Sequence, residues 1–144
     1  MSLEQTLNEF LADLNVFYRK LQNYHWNAQG KDFFRTHEKL EELYNEVNES
    51  IDEIAEHILI IGGQPLGTLK DYLSVGTIQE EVNKKVKSDE IYSNLIKDYE
   101  TLLNKAIEIK QEADKENDYA TSALIDNYIL NYGKHLWMLR HWSA

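Results

Sequence analysis

Apolar residues recur at spacings of three and four along most of this chain, and nowhere do they keep the two-residue alternation of a half-buried strand. The pattern predicts four long helical windows: about Leu3 to Ala28, Phe33 to Ile61, Asp89 to Ala113 and Tyr119 to Trp142. Gly30 ends the first. Gly62, Gly63 and Pro65 stop the second, since glycine suits the turn after a helix and proline cannot continue one. Ile91, Leu95, Tyr99, Leu102, Ala106 and Ile109 make the stripe of the third window, and Leu124, Tyr128, Tyr132, His135 and Leu139 that of the fourth. Asp114 to Asp118 forms a polar corner between them. From Leu66 to Ser88 the rhythm weakens around Gly67 and Gly76, and a capping-box pattern from Thr77 to Glu80 accompanies an expected short helix and loop.

Four long amphipathic helices without a repeat period predict an all-α four-helix bundle rather than a solenoid. The connection after the second helix, roughly 20 residues, is long enough to cross the length of a bundle, whereas an antiparallel turn needs only a few. The expected architecture is therefore a crossover bundle of the ferritin-like kind, with a short extra helix in that connection. With 144 residues, 42% of them hydrophobic, residues 1–144 read as one domain.

Zero cysteines exclude disulfides, thiolate zinc sites and cysteine nucleophiles, leaving imidazole and carboxylate as the strong metal ligands. Twenty-five acids against 15 bases give a net charge of −10, which repels phosphate backbones and attracts cations. The N-terminal stretch has no basic segment followed by an apolar run, and the longest apolar run, Ile58 to Ile61, is far too short to span a bilayer. A cytoplasmic protein with no membrane partner is expected.

The second window concentrates the candidate chemistry. Leu40, Tyr44, Val47, Ile51, Ile54, Ile58 and Ile61 form its core stripe. At about 100° per residue the stripe covers roughly −100° to 0° from Tyr44, while His37, Glu41, Asp52 and Glu56 fall near 20°, 60°, 80° and 120°. His37 with Glu41, and Asp52 with Glu56, are neighbours one turn apart. The two pairs lie about 22 Å from each other along the axis, so one helix cannot join them on a single ion. Two copies packed antiparallel about a two-fold axis would bring the His37 end of one beside the Asp52 and Glu56 end of the other, giving two equivalent sites per dimer. A bundle-internal di-iron site is disfavoured, because the chain has no Glu-x-x-His; Glu53 and His57 are four apart.

The run YHWNAQGKDFFRTHEKLEELYNEVNESIDEIAEHILIIGGQPLGTL resembles the signature of the Dps family, the mini-ferritins. His25, Trp26, His37, Glu41, Asp52 and Glu56 fall on motif positions, the Gly62 to Gly67 segment matches as well, and the stretch Lys134 to Leu139 is similar to the family's last helix. The resemblance implies a hollow homo-dodecamer whose ferroxidase centres lie at two-fold interfaces, with His25 and His37 from one subunit and Asp52 and Glu56 from the other. It implies oxidation of ferrous iron, preferably by hydrogen peroxide, and storage of the ferric mineral, with protection against oxidative damage. Zinc is a competing ion for such a ligand set.

Glu41 stands where the family usually has aspartate, with a role at a second iron or a bridging water, and His57 stands where arginine is common. Trp26 matches a tryptophan held to exchange electrons near the iron. Asp114, Glu116 and Asp118 match the region where relatives build acidic pores, although Ala123 replaces a further pore aspartate and Asp118 equally suits a helix cap. The competing function is DNA compaction. Relatives that compact DNA use Lys- or Arg-rich tails, whereas here no basic residue precedes Arg19, the chain ends HWSA, and the basic group Lys84, Lys85 and Lys87 is flanked by Glu80, Glu81, Asp89 and Glu90. DNA is not an expected partner.

Overall fold

The computed structural model describes residues 2–142; Met1, Ser143 and Ala144, the last two belonging to the HWSA end, lie outside the described residues. Helix α1 is Leu3–Asn27, α2 Phe33–Ile60, α3 Leu69–Val75, α4 Ser88–Lys115 and α5 Tyr119–Trp142. The four long helices form a ferritin-like bundle, with α3 in the crossover between α2 and α4. Helix α1 packs on both α2 and α4, and α4 packs on α5.

The helix ends follow local chemistry. Ser2 and Gln5 form a reciprocal capping box at the start of α1. At the end of α2, Gly62 takes φ +87°, which lets its N–H reach the carbonyl of Leu59 and that of Gly63 reach Ile58, closing the helix on two of its orphan carbonyls. Asn117, with φ +57°, does the same for α4: its N–H bonds Asp114 and that of Asp118 bonds Ala113. Helix α4 therefore runs on to Lys115, and the expected corner shrinks to Glu116, Asn117 and Asp118.

The crossover departs most from expectation. Thr77 caps nothing. The short helix comes earlier, with Thr68 accepting from the Asp71 N–H at its start. Thr77 is instead bound by Asp13, whose fully buried carboxylate accepts from Thr77 N at 2.6 Å, Thr77 Oγ1 at 2.9 Å and Ile78 N at 2.8 Å. Asn8 grips the other end, donating to the Gln64 carbonyl and accepting from the Leu66 N–H. A two-residue parallel bridge, β1 (Ala28–Gln29) with β2 (Val86–Lys87), ties the α1–α2 turn to the end of the crossover.

All six residues of the α4 stripe are buried. In α2 the burial centres on Leu40, Leu43, Val47, Ile54 and Ile58, with Tyr44, Ile51 and Ile61 at the margin. An aromatic cluster fills the core: Phe17 meets Tyr99 edge-on at 5.0 Å and Phe10 meets Tyr128 at 5.5 Å.

Candidate metal centre

His25 lies in the last turn of α1 and His37 near the start of α2, with a short turn between them. Carbonyls in the last turn of a helix lack a donor from their own helix. That of His25 accepts from Nδ1 of His37 at 2.7 Å, and the carbonyl of His37 accepts from Nδ1 of His25, also at 2.7 Å. Since a carbonyl can only accept, both rings carry a proton on Nδ1, and in the neutral ring each Nε2 keeps the lone pair that a metal would use. The two rings lie face to face, 3.7 Å between centroids and 11° between planes. His25 is buried and His37 half-buried.

Two aromatic side chains complete the row: Phe33 stacks on His37 at 4.9 Å and 22°, and Tyr44 meets His25 edge-on at 5.2 Å. Neither was singled out for the site from sequence, although Phe33 and His37 are one turn apart on α2. Burial, with the charge of Glu41 second, pushes the Tyr44 phenol above its ordinary value. Glu41 reaches to 3.8 Å from His25 Nε2, on a side chain more than half exposed. Trp26 is 55% exposed, with the Arg19 guanidinium 5.8 Å over its ring.

Asp52 and Glu56 stand exposed toward the other end of α2. With Glu49, Glu53, His57, Ile60 and Leu124 they line an open groove of about 430 Å³. His57 turns inward: its Nε2 donates to Thr121 Oγ1 at 2.7 Å, and the threonine hydroxyl donates to Asp118 Oδ2 at 2.7 Å. Asp118 also accepts from the Thr121 N–H, so it caps α5, while Asp114 accepts from Ser122 Oγ and Glu116 is exposed. Further along, Glu46 accepts from His135 Nε2 at 2.9 Å and from Asn131, and Tyr128 donates to Glu53 at 2.5 Å. Sequence alone showed His135 only as part of a packing stripe; its bond to a carboxylate on α2 depends on how α5 is placed.

The structure thus brings His25, His37 and Glu41 together at one end of α2 and leaves Asp52 and Glu56 together toward the other. Among the described residues no group of three or more histidines and acids could hold a metal ion within one chain. Neither end alone offers a complete ligand set, and imidazole together with carboxylate is a donor combination that suits iron or zinc.

A family model described as ferritin-like domain matches residues 4–143. The chain is 43% identical over 139 residues to DNA protection during starvation protein 2 of Bacillus anthracis, covering 94% of this chain and 92% of that protein. It superposes with a TM-score of 0.95 and 36% identity on the Dps protein of Vibrio cholerae O1, described as a member of a broad superfamily of ferritin-like diiron-carboxylate proteins, over 99% of this chain and 89% of that one. A structure of Dps from Listeria innocua soaked with zinc matches at TM-score 0.93 and 34% identity, over 98% and 95% of the two chains.

Proposed function

Because the chain belongs to the Dps family of ferritin-like proteins, we propose that it is a ferroxidase that takes up ferrous iron at sites shared between two subunits, oxidises it preferably with hydrogen peroxide, and stores the ferric product inside a dodecameric cage in the cytoplasm. The single observation that carries the reading is the division of ligands along α2: two imidazoles with Nε2 left over at one end, two carboxylates at the other, and no complete set in one chain. An antiparallel pair of α2 helices supplies both halves to each site.

In this reading His25 and His37 of one subunit, with Asp52 and Glu56 of the other, bind the ferrous substrate. The Nδ1 bonds fix the tautomer and aim of each ring, so that Nε2 is the nitrogen offered to iron, and the carboxylates neutralise the cation. Two ferrous ions give one electron each to a peroxide, which takes up two protons and leaves as two waters. Pairing the electrons avoids the hydroxyl radical that a single ferrous ion would produce. Glu41, close to His25 and on a side chain more than half exposed, serves the second iron or a bridging water. Trp26 serves as an electron donor beside the site. Zinc competes for the same ligands. Iron entry past the corner acids rests chiefly on Glu116, since Asp114 and Asp118 already accept from Ser122 and Thr121.

The test is anaerobic ferrous binding followed by peroxide, comparing the native chain with Asp52→Ala plus Glu56→Ala. Loss of rapid oxidation in the variant is expected, and equal rates would overturn the assignment. A native mass measurement on the same samples checks the twelve-subunit cage, and a dimer as the largest species would refute it.

A further inference from the structure

The histidine half-site is held by more than its two hydrogen bonds. Phe33, His37, His25 and Tyr44 form a row of rings with successive centroids 4.9, 3.7 and 5.2 Å apart, the first three close to parallel and the last edge-on. We propose that Phe33 and Tyr44 are positioning residues, an aromatic bracket that keeps both imidazoles in the orientation in which Nδ1 faces the neighbouring carbonyl and Nε2 is left for the metal. The inference rests on the proposed use of His25 and His37 as ligands and goes beyond it by naming what aims them.

The torsion that turns a histidine ring is soft and broad, so the ring plane swings away from its carbonyl partner at little cost unless something restrains it. A hydrogen bond to one carbonyl is a single restraint, and on half-buried His37 water competes for it. Flat partners add a second restraint, because a ring that turns out of the row loses its stacked area. Phe33 supplies that surface to His37 from one turn earlier on the same helix. Tyr44 supplies an edge to His25 and is steadied by Tyr18, which meets it edge-on at 5.9 Å.

The chain contains its own control. Phe34, next in sequence, is 81% exposed and touches Phe33 edge-on at 5.7 Å, with no ring contact to either histidine. Removing the Phe34 ring takes away as much aromatic surface and one edge contact on Phe33, while the three ring contacts within the row stay in place.

The experiment titrates the assembled, metal-free protein with Zn2+, a probe without redox chemistry, and follows the sites that disappear in Asp52→Ala. Phe33→Leu is expected to weaken them on the order of three- to tenfold, the scale of one side chain whose rotational freedom is lost only on binding. Phe34→Leu is expected to leave them unchanged, and Phe33→Tyr, which keeps the flat ring, to restore native affinity. A crystal structure of metal-free Phe33→Leu is expected to show the His37 ring turned or in two orientations on an otherwise unchanged helix. Native affinity together with unmoved rings in Phe33→Leu would overturn the bracket. Equal weakening by Phe34→Leu, or no rescue by Phe33→Tyr, would overturn it too, by showing a general effect on the end of α2. If His37→Ala itself leaves the zinc sites untouched, the ligand assignment fails first, and that result is distinct from failure of the bracket.

Discussion

Asp13 Oδ1 lies 2.6 Å from the backbone nitrogen of Thr77, joining the middle of α1 to the crossover more than sixty positions away. The same carboxylate also takes the Thr77 hydroxyl and the Ile78 N–H, and it is fully buried. Gly76 leaves room for it, since a Cβ there would come within 3.0 Å of Asp13 Oδ1 and 2.9 Å of the Tyr72 carbonyl.

Asp13→Ala leaves two backbone donors without their acceptor, and roughly 3 kcal/mol of stability is expected to go with them. Urea unfolding should show a lower midpoint with little change in slope, and limited proteolysis should begin between residues 76 and 88. A midpoint within error of native would mean that the crossover is held elsewhere.

Mixing two inactive chains tests the shared site directly. One chain carries His37→Ala, the other Asp52→Ala with Glu56→Ala. If each site takes its halves from two subunits, random 1:1 co-assembly makes half of the dimers mixed, each with one intact and one doubly disabled site, so about one quarter of native peroxide-dependent oxidation returns. Stopped-flow absorbance after ferrous loading measures it. Sites built inside single chains would give no recovery at all.

Direct DNA binding is expected to be absent even at low salt. The net charge is −10, and Lys84, in the densest basic group, is paired with Glu90 at 2.9 Å. A mobility-shift titration without iron, from about 20 to 150 mM salt, should leave the DNA free. A shift that weakens steeply with salt would reveal phosphate contacts.

Stability at low pH should be set by carboxyls of opposite sense. Burial alone would raise Asp118 and Glu46, but both end below the ordinary carboxylate value: Asp118 through the Thr121 N–H and hydroxyl and the nearby His57, Glu46 through His135 and Asn131. A carboxyl more acidic in the folded chain stabilises it above the unfolded pKa, near 4, and that stabilisation is lost as pH falls through the folded value. Asp98 behaves the other way. Its burial outweighs Lys20, 2.9 Å away, and raises its pKa, so the folded chain takes up that proton first and gains stability as pH falls between the raised folded value and the unfolded one. Urea midpoints from pH 6 to 3 should therefore fall less steeply in Asp118→Asn and more steeply in Asp98→Asn than in the native protein.

Most of the bundle was legible because its elements are long and locally encoded. The α4 stripe is buried residue for residue, and the Gly62–Gly63 stop and the starts of α2 and α5 lie where spacing and turn residues put them. What escaped depends on partners distant in sequence. Thr77 looked like a cap because a capping box is a local pattern, and nothing local reveals that Asp13 claims it. The β1–β2 bridge is two residues long, too short to leave an alternation. The division of the ligands along α2 followed from helical rise alone. The mutual bonds of His25 and His37 did not, since they depend on how the turn between two helices folds back. Asp118 carried two readings, and the structure shows it as a cap.

If the two ligand groups along α2 form shared sites as proposed, their spacing makes the protein's own concentration a control on its chemistry. A newly made chain that has not met a second copy carries histidines at one end and acids at the other, with no place where ferrous iron is held by all of them. Under the shared-site reading, active sites then rise with the square of subunit concentration while dimers are scarce, and linearly once every chain is paired. Isolated chains would be poor places for iron and peroxide to meet, and competence would arrive together with the enclosure that receives the product.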